Sequence, residues 1–77
     1  MNPIDIALRI ATSAHAGQLD RDGYPVILHP LTVGLMGHTD EEMMAGFLHD
    51  VVEDTSYSFE DLLHEGIPTG VVNALRI

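Results

Sequence analysis

Two charged doublets, His49-Asp50 and Glu53-Asp54, interrupt the apolar run from Met44 to Thr55. On a single helix, at about 100° per residue, these four residues fall within an arc of roughly 140°. Met44, Ala45, Phe47, Leu48, Val51 and Val52 fill the opposite side. Surface helices usually carry charges of both signs in pairs one turn apart, but this stretch has neither Lys nor Arg. Three carboxylates and an imidazole crowded on a half-buried helix repel one another and lose solvation unless something positive lies among them. A divalent cation meets that need. Imidazole nitrogen with carboxylate oxygen suits Mn, Fe or Zn, and a mixed set with open positions is what hydrolytic metal sites use. The plain alternative is an acidic, solvated helix face with a histidine beside it.

Other residues could join this group. His29 precedes the His49-Asp50 doublet by a stretch long enough for the chain to return, which would bring two histidines and an aspartate together. His29-Pro30 reads as an N-cap with proline at the first position of a short helix ending near Met36. Arg21 lies in the turn Asp20-Arg21-Asp22-Gly23 and is the only basic residue between Arg9 and Arg76. It is the first candidate to meet an anionic substrate, against the alternative of pairing with Asp20 or Asp22. His15 falls in the last turn of the first expected helix, where a histidine serves as a favourable charge near the dipole's negative end. His38 and His64 read as surface residues.

Composition narrows the field. A chain of 77 residues makes one small domain, and without cysteine it has neither a disulfide nor a thiolate zinc site to staple it. Twelve acids against three basic residues give a formal net charge of −9. Nucleic-acid binding through a basic surface is thereby disfavoured, as is attraction to an anionic membrane. A phosphorylated small molecule stays open, because a bound metal ion inverts the local field. No apolar run reaches the length of a membrane span and the first residues lack the basic start of a signal peptide, so a soluble cytoplasmic protein is expected.

The elements needed to position these residues are helices. Asn2-Pro3 opens the first, and Ile4, Ala7, Leu8, Ala11 and Ala14 give it one buried stripe to about Ala16. Residues 18–28 have no helical period and read as a turn flanked by extended chain. Thr39 followed by Glu42 is a capping-box pattern that starts the central helix, expected to continue to Thr55-Ser56. Ser58 with Asp61 starts a fourth, which packs through Phe59, Leu62 and Leu63 and stops at Gly66. Pro68 opens a last one carrying Val71, Val72, Leu75 and Ile77. The expected fold is all-α, about five helices.

Three stretches together carry a family resemblance: Ala14-His15-Ala16-Gly17-Gln18; Gly23-Tyr24-Pro25 with Ile27 and His29-Pro30; and Leu48-His49-Asp50-Val51-Val52-Glu53-Asp54-Thr55. In this order and spacing they resemble the N-terminal half of the HD-domain phosphohydrolases. Within that superfamily they are similar to the hydrolase domains of RelA/SpoT proteins and their small single-domain relatives, which remove the 3′-pyrophosphate from guanosine tetra- and pentaphosphate. The resemblance implies an HD-like helical bundle in which His29, His49 and Asp50 are metal ligands, usually for manganese. It implies that Glu53 and Asp54 orient or deprotonate the attacking water. Arg21 matches a basic position where the nucleotide approaches.

Two positions depart from the pattern. Val26 stands where the family often has tyrosine, and the family's fourth ligand, an aspartate on a later helix, has no counterpart here. The chain is therefore expected to be a truncated domain that self-associates or forms part of something longer, since its last helix needs a partner surface. The alternative to a nucleotide pyrophosphohydrolase is a shortened helical module that binds metal or a protein partner with little or no turnover.

Overall fold

The computed structural model describes residues 2–77, which form an all-helical bundle. Six helices follow one another: α1 (Pro3–Ala14), α2 (Leu28–Leu35), α3 (Asp40–Leu48), α4 (Val51–Asp54), α5 (Phe59–Glu65) and α6 (Thr69–Leu75). α3 sits in the middle and packs against α1, α2 and α6, while α5 packs on α6.

Local chemistry sets most of the helix starts. The Asn2 side chain accepts from the backbone N–H of Ile4 at 2.8 Å, ahead of Pro3. Ser58 and Asp61 complete a reciprocal capping box at the start of α5, with distances of 3.1 and 2.8 Å. At α3 the box is only half closed. Thr39 Oγ1 accepts from Glu42 N–H at 3.1 Å, but the Glu42 carboxylate reaches past Thr39 to the backbone N–H of His38 at 2.8 Å. The backbone donor before the cap is satisfied instead of the cap's own.

The core is the apolar stripe of each helix turned inward. Ala7, Ile10 and Ala11 of α1 meet Met44, Phe47 and Leu48 of α3, with Val51, Leu62, Ile67, Val71 and Val72 closing the far side. Leu63, expected in the packing face of α5, is exposed, and so is Ile77.

The tightest helix contact lies between α2 and α3. A Cβ placed on Gly46 would fall 2.6 Å from Gly34 Cα, and one on Gly34 would fall 2.1 Å from the Phe47 ring. Two glycines thus let the backbones approach within a distance that no larger residue permits. This contact carries the start of α2, and with it His29, toward the C-terminal end of α3.

The central helix is not continuous. α3 ends at Leu48, His49 and Asp50 form a turn, and α4 resumes at Val51 for four residues. The expected helix to Thr55 is therefore broken at the charged doublet, which adds the sixth helical segment. Among the described residues, no helix is long and apolar enough to cross a membrane.

Candidate metal centre

His49 is the C-cap of α3 and Asp50 the N-cap of α4. The break lifts both side chains out of a regular helix face and aims them at the same space. His29, the second residue of α2, comes in from the neighbouring helix. It lies one step inside the helix and not at the cap expected for it, because α2 starts at Leu28, with the N–H groups of Leu28 and His29 bonded to the carbonyls of Pro25 and Val26. One donor atom from each of His29, His49 and Asp50 lies within 4.8 Å of the others. The two imidazole rings meet edge to face, 5.3 Å between centroids and 70° between planes.

Hydrogen bonding assigns one nitrogen of His49. Its Nδ1 lies 2.6 Å from the carbonyl oxygen of Gly46, which can only accept, so Nδ1 carries the hydrogen. Nε2 is left facing Asp50 Oδ2 at 3.1 Å, a separation that either a proton on Nε2 or a cation between the two atoms accounts for. Neighbouring donors around an ion with bonds of ~2.1 Å are spaced about 3.0–3.4 Å apart. A carbonyl behind the far nitrogen of a ligating histidine is also the usual outer partner of a metal-bound imidazole. Donor types, spacing and tautomer all fit a divalent ion held by nitrogen and oxygen.

The remaining predicted residues are placed unequally. Glu53 is exposed and lines a cavity of about 350 Å³ together with Leu48, His49, Val52, Phe59, Leu75, Arg76 and Ile77. Asp54 is exposed one residue further on, outside the lining of that cavity. Arg21 sits exposed in the 18–26 loop. The Asp20 carboxylate beside it accepts from the backbone N–H groups of Asp22 and Tyr24 at 2.9 and 3.0 Å, shaping the turn. A second hollow is lined by Asp20, Tyr24, Pro25, Val26, Leu28 and His29.

Sequence reasoning passed over Arg76. It lines the Glu53 cavity, stacks 4.6 Å over the Phe59 ring and lies 3.9 Å from Glu60. Its distance along the chain from the acidic doublets hid it, and no local motif marks it. His15 also differs from expectation: it is buried, at 1% exposure, and bonded to Gln18, and does not act as an exposed charge at a helix end. His38 and His64 are exposed, as expected.

An all-helical chain in which two histidines and an aspartate lie close enough to share one ion, with a glutamate on the following short helix, has the donor types of a metal-assisted hydrolytic site. No family model matches the chain. Among curated proteins it is 47% identical over 60 residues to a guanosine-3′,5′-bis(diphosphate) 3′-pyrophosphohydrolase of Haemophilus influenzae, an alignment covering 73% of the chain and 9% of that protein. It is 42% identical over 66 residues to a GTP pyrophosphokinase of Streptomyces coelicolor, covering 80% of the chain and 8% of the relative. To the bifunctional (p)ppGpp synthase/hydrolase SpoT of Escherichia coli it is 40% identical over 60 residues, covering 73% and 8%. The chain is thus homologous, over most of its length, to a segment of RelA/SpoT-type (p)ppGpp synthetase/hydrolase proteins. It spans less than a tenth of the length of each of these relatives.

Proposed function

We propose that this chain carries the metal-binding residues of a phosphohydrolase that removes pyrophosphate from a guanosine nucleotide such as guanosine tetraphosphate. The convergence of His29, His49 and Asp50 carries the reading, and the relatives named as (p)ppGpp hydrolases support it. A divalent ion held by these residues, manganese in the reading favoured by the resemblance, would supply Lewis-acid chemistry to water and phosphate oxygen.

The chain's own residues do the rest. His29 and His49 offer imidazole nitrogens and Asp50 a carboxylate oxygen, while the Gly46 carbonyl accepts from His49 Nδ1 and leaves Nε2 for the ion. Glu53, in the cavity beside His49, accepts the proton of the water whose oxygen bonds to phosphorus as the P–O bond to the nucleotide's 3′-oxygen breaks; that oxygen leaves and takes a proton from solvent, and Asp54 on the same short helix helps to order the water. Arg21, exposed on the turn shaped by Asp20, meets the anionic nucleotide as it approaches past His29.

The test is direct. The chain is titrated with Mn²⁺ by calorimetry and assayed for pyrophosphate release from guanosine tetraphosphate beside ATP and GTP. Saturable binding of one ion, with release selective for the guanosine tetraphosphate, is expected. Absence of binding would overturn the metal centre; binding without release from any of the nucleotides would overturn the hydrolase and leave a metal-binding module.

A further inference from the structure

Among the described residues, His15 is the one polar side chain in the fully buried set. Nothing in the metal centre uses it. Its Nδ1 lies 3.0 Å from Gln18 Oε1, whereas its Nε2 is buried with no hydrogen-bond partner among the described residues. Burying an imidazole with one nitrogen unsatisfied costs free energy that a leucine of similar size would avoid. The bond to Gln18 is what the leucine could not make.

Gln18 is where the 18–26 hairpin is fastened to α1. Its backbone N–H donates to the carbonyl of His15 at 3.0 Å, and its carbonyl accepts from Val26 N–H at 2.9 Å. Gly17, at φ +81°, turns the chain between them. Leu19 and Pro25 form an antiparallel bridge, and Asp20 N–H donates to the Tyr24 carbonyl at 2.8 Å. Val26 in turn accepts from His29 N–H at 3.2 Å. Three hydrogen-bonded steps therefore lead from His15 to a candidate metal ligand.

Gly34 meets Gly46 five positions beyond His29, about 7.5 Å along the helix axis. Pro30 is buried and Ile27 and Leu31 pack against the core, so side-chain packing holds the body of α2 on α3. The hairpin adds the backbone hydrogen bonds at the first residues of the helix, where His29 stands.

We propose that His15 is a positioning residue for the metal centre: through Gln18 and the hairpin it fixes the start of α2, and so holds His29 opposite His49 and Asp50. This rests on the reading of those three residues as a metal site. The hydrogen-bonded path can be tested apart from it.

His15→Leu and His15→Asn are compared in the full 77-residue chain. The asparagine amide nitrogen takes roughly the place of Nδ1 and can keep the bond to Gln18. Amide hydrogen exchange is read at Val26 and His29 in metal-free protein, and Mn²⁺ affinity is read by calorimetry. The leucine variant is expected to exchange at least about tenfold faster at those two amides while the α3 amides keep the parent's protection. Its Mn²⁺ affinity is expected to fall, by less than the about 10–100-fold that follows loss of a ligand's direct outer partner. The asparagine variant should recover most of both. A uniform rise in exchange across all helices would mark His15 as a general packing residue and overturn the proposal, as would parental exchange at Val26 and His29, or an asparagine variant no better than leucine. Should His15→Leu fail to fold, Gln18→Met deletes the same bond from the less buried partner and is held to the same pattern. If the parent does not bind Mn²⁺, the metal reading fails, whereas exchange at Val26 and His29 still decides whether His15 holds the hairpin.

Discussion

Gly34 and Gly46 meet backbone to backbone, so that a methyl group on Gly46 would lie 2.6 Å from the Cα and 2.7 Å from the nitrogen of Gly34. In an open helix, Gly→Ala is favourable by up to about 1 kcal/mol, because alanine loses less backbone entropy on folding. Here the methyl would meet backbone that cannot step aside, and overpacking typically costs ~1–3 kcal/mol. Overpacking wins. Gly46→Ala and Gly34→Ala should each lower stability by denaturant melting, with Gly34→Ala also displacing the Phe47 ring from the core.

Gly70→Ala is the contrasting case. Its added methyl would meet the Glu41 carboxylate at 3.0 Å, the far end of a flexible, exposed side chain. Glu41 can move, so the entropic gain survives and the variant should be as stable as the parent or more stable by up to about 1 kcal/mol. A loss of more than 1 kcal/mol in Gly70→Ala, or none in Gly46→Ala, would contradict this account of the two positions.

His49 Nε2 and Asp50 Oδ2, 3.1 Å apart, make the metal centre testable without turnover. A ligand that binds only the folded chain stabilises it by about 2.7 kcal/mol at a hundredfold excess over Kd. Mn²⁺ should therefore raise the parent's unfolding midpoint in a concentration-dependent way. His49→Ala should abolish most of that rise. His38→Ala and His64→Ala, both at exposed positions, should keep the parent's response. Parental Mn²⁺ stabilisation in His49→Ala would remove His49 from the ligand set.

Ser58→Ala separates fold from site. The Ser58 hydroxyl and Asp61 carboxylate satisfy each other's backbone N–H groups at the start of α5. Loss of such a cap costs about 1 kcal/mol, with α5 lying on α6 and not on the helix that bears His29. Stability should drop by that amount while the Mn²⁺ affinity of the folded protein stays the same, as a combined melt and titration would show.

How much of this was legible in the residues differs from place to place. Asn2-Pro3 and Ser58 with Asp61 announced their helices because a cap is decided within four residues. The hairpin ahead of His29 was legible as a turn, but the bridge between Leu19 and Pro25 depends on where α1 delivers the chain. The break at His49-Asp50 was hidden, since the apolar period runs through it from Leu48 to Val51 and only packing shows that the helix stops. The buried state of His15 was hidden for a related reason: a histidine near a helix end looks the same in sequence whether it faces water or Gln18. The grouping of His29 with His49 could be anticipated from residue types, whereas the contact that brings them together is made by two glycines, Gly34 and Gly46, which carry no chemistry of their own.

The break also sharpens what Glu53 should do. On a continuous helix it would share one face with His49 and Asp50 and compete with them for the ion. In the structure it stands on α4, exposed, in the cavity that runs from His49 toward Arg76. That places its carboxylate beside the donors and not among the three that converge, where a group that takes a proton from water belongs. Glutamine keeps the size and one oxygen of glutamate but cannot accept the proton. In whatever form of the protein turns over substrate, Glu53→Gln should therefore bind Mn²⁺ about as tightly as the parent and lose about 10²–10⁴-fold in kcat, the range for removal of a general base. Asp50→Asn should behave oppositely, losing metal affinity first and activity as a consequence. Paired calorimetry and single-turnover assays on the two variants decide the division of roles: if Glu53→Gln loses metal and turnover together, Glu53 is a ligand and the base lies elsewhere.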